Sequence, residues 1–112
     1  MQHDDVVYLG HMLDMALKAR SKIEGKTRLD YDHDENLRLA LTHLIQIIGE
    51  AASRVSTAFR QKHPEIEWKK IIGMRHHVVH DYLDVDDDIL WDVVNNYLPP
   101  LIFALEKIVP PT

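Results

Sequence analysis

Three imidazoles, a guanidinium and a phenol fall within the eight residues from Arg75 to Tyr82. The stretch reads Met74-Arg75-His76-His77-Val78-Val79-His80-Asp81-Tyr82. Imidazole is the side chain whose unperturbed pKa places its charge change near neutral pH, so it can give and take protons there. Arginine is always charged and presents a fork of donors that matches a phosphate. The hydrophobic pattern around these residues reads as helix. On a helix at about 100° per residue, His76 and His80 lie on one face, while Arg75 and His80 stand about 140° apart around the axis. They border one sector without stacking, and Arg75 and Tyr82 are nearly eclipsed.

Such a set suits cleavage of RNA without a metal. A base must take the proton of the 2′-OH, and an acid must protonate the leaving 5′-oxygen. A cation must meet the charge that gathers on the phosphoryl oxygens. Histidine fits the first two roles and arginine the third. One His and one Arg are too few for both proton transfers, whereas two copies in an isologous dimer would supply two of each.

The elements that must position these residues are helical. The chain has 112 residues, and its 46% hydrophobic and 28% charged content predicts one domain, residues 1–112, with a packed core. Val6, Leu9, Leu13, Ala16 and Ile23, flanked by Met12 and Leu17, predict a first helix over 4–24 that ends at Gly25. Residues 26–32 read as a connection. A second helix starts near Asp32-His33-Asp34-Glu35, with Asp32 capping and Glu35 completing a capping box. Its stripe of Leu37, Leu41, Leu44, Ile48, Ala51, Val55 and Phe59 runs on toward Pro64. The third helix runs from Glu67 or Trp68 to Leu83. After a turn at Asp84-Val85-Asp86, with Asp86 or Asp87 as cap, the fourth carries Ile89, Leu90, Val93, Val94, Leu98, Leu101 and Leu105. It is kinked or broken at Pro99-Pro100. Strand signals are nearly absent. The expected fold is all-α, an antiparallel four-helix bundle.

Composition narrows the function classes. There is no cysteine, which excludes disulfides, thiolate metal sites and a cysteine nucleophile. No apolar run approaches a membrane span, and Met1-Gln2-His3-Asp4-Asp5 lacks the features of a signal peptide, so a cytoplasmic protein is expected, without membrane contact. The formal net charge is −5. Most nucleic-acid binders show a basic surface, so any RNA must be met by a local cationic site within an acidic exterior. Glu50 falls inside the apolar stripe of helix two and is expected to orient Arg75 or a histidine. His76 and His80 have the i, i+4 spacing of helical metal ligands, but no other clear ligand accompanies them, and no metal is expected. His77 reads as solvated or as a contact to a partner chain. The acidic run 84–88 lacks the Gly and Glu of a calcium loop and is better explained by helix capping. Trp68 and Trp91 read as core or interface anchors.

Arg75, four residues, His80, one residue and Tyr82 form an Arg-x4-His-x-Tyr pattern. It resembles the motif of HEPN-domain toxins of the HepT-like group. Ile48-Gly49-Glu50-Ala51-Ala52, Pro64-Glu65-Ile66-Glu67-Trp68, Ile72-Gly73-Met74-Arg75, Leu90-Trp91 and Leu98-Pro99 are similar to that group's other segments, so the likeness spans about the whole chain. His76 departs from the group, which most often has Asn there. The resemblance implies a HEPN-like bundle that dimerises, with Arg75 and His80 of both copies lining a cleft. It implies a metal-independent endoribonuclease toxin without a cofactor, acting on transfer or messenger RNA. It also implies a minimal nucleotidyltransferase antitoxin that adenylylates Tyr82. His76 and Glu50 would support the site. The alternative is a non-catalytic bundle that serves as partner or substrate of the nucleotidyltransferase. A third reading is a His-rich metal-binding bundle.

Overall fold

A computed structural model describes residues 3–81 and 84–110, with the main chain alone for His3, His80 and Asp81. Helix α1 covers His3–Ile23 and ends ahead of Gly25, whose φ of +73° is the left-handed geometry that favours glycine after a helix. Its core stripe is Leu9, Met12, Ala16, Ala19 and Ile23, spaced by three and four. The stripe is rotated from the expected one. Met12 and Ala19 face the core, Val6 and Leu13 are half-buried, and Leu17 is exposed. Two small alanines on the inner face let α1 approach its neighbour closely.

The connection over 26–32 contains a short helix, α2, Arg28–Asp32. The capping box falls here, between Thr27 and Asp30, rather than at Asp32 and Glu35. The Thr27 N–H and hydroxyl hold the Asp30 carboxyl below the usual carboxylate range. Helix α3, Glu35–Arg54, is capped by Asp34, which accepts from the Leu37 N–H at 3.0 Å. The expected run to Phe59 is broken. Ser56 caps a separate helix α4, Thr57–Lys62, by accepting from the Phe59 N–H. The break is held from α1, where the buried Asp5 carboxylate accepts from both the N–H and the hydroxyl of Ser56, each at 2.7 Å. A buried carboxylate needs such donors to offset its desolvation.

Helix α5 covers Trp68–Val78 and stops five residues short of the expected Leu83. The chain becomes extended at Val79–Asp81 (β1), which pairs antiparallel with Asp84–Val85 (β2). This corrects the turn expected at 84–86. Adjacent Val78 and Val79 are β-branched and favour the extended state. The Val78 carbonyl receives the Asp86 N–H at 2.7 Å across the ribbon.

The last rod is joined from three pieces: α6, Asp87–Asp92, capped by Asp86; a π-helical turn, Val93–Tyr97; and α7, Leu98–Glu106. The predicted interruption is thus taken up as a bulge just ahead of Pro99 and Pro100, which occupy the first turn of α7, where proline is tolerated. The Leu98 N–H reaches Val93, and Pro99 has no N–H to offer the Val94 carbonyl. Arg20 of α1 donates to that carbonyl at 3.1 Å.

The four long rods close on one another. α1 packs on α3 and α7, α3 on α5, and α5 on α6. The result is an all-α antiparallel four-helix bundle with one short two-stranded ribbon. Leu41, Ile45, Ile48, Leu90, Val94, Leu98 and Leu105 fill its centre. Trp68 is buried, its indole N–H given to the His63 carbonyl, and half-buried Trp91 packs 5.3 Å from Tyr31. No helix among the described residues is long and apolar enough to cross a membrane.

Candidate functional site

Arg75, His76 and His77 occupy the last turn of α5. Met74 and Val78 on either side are buried, and this fixes which way the turn faces. The three polar side chains are exposed. His77 lies back along the helix, so that a Cβ at Gly73 would sit 3.8 Å from its ring. His80 follows two residues after the helix, in β1. The expected shared helical face of His76 and His80 therefore does not exist, because α5 ends between them. That removes the spacing on which a helical metal pair would rest. Among the described residues no group of three His, Asp or Glu is arranged to hold a metal ion. Tyr82 lies outside the described residues.

Glu50 sits on α3 opposite the motif turn. One carboxylate oxygen accepts from Arg54 at 3.0 and 3.1 Å, and the other stands 3.5 Å from Arg75 Nη1. The adjacent Gly49 makes this possible. A Cβ there would come within 3.2 Å of the Ile71 carbonyl oxygen, so α3 and α5 touch backbone to backbone at this level. All three charged groups are about half exposed, so the ion pairs position side chains more than they stabilise the fold. The Glu50 carboxylate and the Tyr8 hydroxyl raise the pKa of the Arg54 guanidinium above its usual value.

The Arg75–Glu50–Arg54 row lines a groove of about 580 Å³ that continues over α1 and α3 past Tyr8, His11 and His43. Two guanidiniums there stand against one carboxylate, in a chain of net charge −5. A second groove of about 340 Å³ between α5 and α7 is lined by Ile66, Met74, Tyr97 and Pro100, with Glu65 and Glu67 beside it. Two carboxylates against the one ammonium of Lys70 make it the poorer seat for a phosphate. Tyr8, His11, His43 and Arg54 were not legible as site residues in the sequence. The i, i+4 spacing of Glu50 and Arg54 was the one available signal. The meeting of α1 with α3 at this face is a tertiary fact.

The description "Ribonuclease HepT-like" matches residues 12–108, nearly the full length. The chain belongs to this family. Among its relatives, a protein of Caldanaerobacter subterraneus subsp. tengcongensis named "Putative RNase" is 32% identical over 101 residues, covering 90% of each chain. A "Putative RNase" of Methanocaldococcus jannaschii is 30% identical over 93 residues, covering 80% of this chain and 85% of the relative. A "Probable ribonuclease HepT" of Thermococcus cleftensis is 34% identical over 79 residues, covering 70% and 72%. No solved structure matches. Arg75 of the Arg-x4-His-x-Tyr pattern thus lies at the end of α5 and His80 in β1, with Glu50 of α3 behind the arginine.

Proposed function

We propose that this HepT-like protein is a toxin endoribonuclease that acts as a homodimer and needs no metal. The observation that carries the reading is Arg75. Its guanidinium is held by Glu50 beside a groove that Arg54, His11 and His43 also line, five residues ahead of His80 in the Arg-x4-His-x-Tyr pattern. His80 of one copy takes the proton of a 2′-OH, and that oxygen attacks the adjacent phosphorus. His80 of the other copy protonates the 5′-oxygen as its bond to phosphorus breaks, leaving a 2′,3′-cyclic phosphate. Arg75 stabilises the charge on the non-bridging oxygens. Glu50 positions Arg75, and His76 supports the site from the same turn. Transfer or messenger RNA is the natural substrate.

Regulation belongs to the same reading. A minimal nucleotidyltransferase antitoxin would transfer AMP from ATP to the Tyr82 oxygen, releasing pyrophosphate. The attached nucleotide adds bulk and negative charge where an RNA phosphate would bind, and like charges repel.

The test uses purified protein, RNA and EDTA. Cleavage continues under chelation, and Arg75→Ala and His80→Ala each lower the rate by about a hundredfold or more. Cleavage that demands added metal would overturn the mechanism. A second reading, a non-catalytic partner of the nucleotidyltransferase, draws on the net charge of −5. It predicts no growth arrest on expression of this chain alone, and no difference between wild type and His80→Ala.

A further inference from the structure

A chain with five excess negative charges must still hold a polyanion if it cuts RNA. Electrostatic attraction to phosphate supplies most non-specific affinity for nucleic acid, so the strand needs a local path. The groove over α1 and α3 offers one beside the motif arginine. It starts at Arg75, and two guanidiniums outnumber the single carboxylate of Glu50 along it. The Arg75–Glu50 contact is long, at 3.5 Å, and exposed to solvent, so a phosphate with two oxygens can compete for that guanidinium.

The groove also carries rings. Tyr8 is half-buried on α1, and His11 meets it edge-on with centroids 6.2 Å apart. An edge-on neighbour braces the tyrosine ring. His43 on α3 is exposed on the opposite wall. Cations along a groove with rings between them are the pattern by which single strands are held without sequence reading. The cations follow the backbone, and bases stack on the rings.

We propose that this groove is the track for a single RNA strand leading to the cut site. Tyr8, braced by His11, stacks a base, and Arg54 together with Arg75 takes phosphates beside it. The track rests on the ribonuclease reading for its purpose, but it is a binding site in its own right.

The probe is a fluorescent RNA of about eight nucleotides with a 2′-O-methyl group on every ribose, so that no 2′-OH can attack. Anisotropy reads its affinity for wild type, Tyr8→Leu, Tyr8→Phe and Arg54→Gln. Light scattering reads the mass of each variant. Tyr8→Leu should weaken binding about tenfold with the salt dependence unchanged, and Tyr8→Phe should restore it. Arg54→Gln should weaken binding about fivefold and flatten the slope of affinity against salt by nearly one phosphate. If wild type cleaves RNA while Tyr8→Leu and Arg54→Gln bind within about twofold of it, the track is wrong and the nuclease reading stands. If the variants weaken binding but wild type cleaves nothing, the track stands and the nuclease reading falls. If wild type fails to bind the probe, or if both variants turn dimer into monomer, the groove is no RNA track.

Discussion

Tyr31 shows how one side chain ties a short helix to the bundle. It is fully buried, and its hydroxyl donates to Asp87 at 2.7 Å. Burial and the neighbouring carboxylate push the phenol above its ordinary value of 10.0. A group whose folded pKa is raised contributes stability that is complete below the unfolded value and is lost as pH climbs through the folded one. Tyr31→Phe should therefore cost about 2 kcal/mol at neutral pH, because the bond has an ionised acceptor. The difference from wild type should shrink above about pH 10. Urea midpoints of both proteins from about pH 7 to 11 would show it, and a constant gap would contradict the assignment. Arg75 follows a different logic. Its partner Glu50 is exposed, so breaking that pair should trouble the chemistry far more than the fold.

At the scale of elements, the α3–α5 crossing is set by Gly49. Gly49→Ala should stay within about 1 kcal/mol of wild type, since the gain in helix propensity offsets crowding against the Ile71 carbonyl. Gly49→Val should cost about 2 to 3 kcal/mol and move Arg75 away from Glu50. Thermal unfolding measures the first effect, and cleavage rate the second. A valine variant as stable and active as wild type would refute the close crossing. The same elements show what the sequence could reveal. The regular stripe from Leu37 to Ala51, the cap at Asp86 and the proline pair were legible, because periodicity and missing donors are local properties. The break after Arg54 was not legible, because it depends on Asp5 reaching Ser56 from 51 residues away. Nor was the end of α5 at Val78, where a carbonyl pairs with Asp86 across the ribbon. At the site, Arg75 could be nominated from its spacing to His80 and Tyr82, and Glu50 from its place inside the apolar stripe. The groove beside them needed two helix faces to meet.

At the scale of the whole molecule, pooling of catalytic groups between two copies has a numerical signature. His80→Ala chains co-folded in equal amount with wild type should leave about a quarter of full activity if each dimer needs both histidines, and about half if each chain works alone. Titrating the mixture with differently tagged chains distinguishes the two. A guanidinium also ties the first rod to the last, beside the packing of α1 on α7. Arg20 answers a carbonyl that Pro99 leaves without a main-chain partner, 74 residues further on. The two positions therefore act as one unit. A residue with an N–H at 99 would satisfy Val94 from within its own helix and leave Arg20 with a charge and no assignment. Loss of Arg20 beside an intact Pro99 would strand the carbonyl instead. Each change should be tolerated better in the company of the other than by itself.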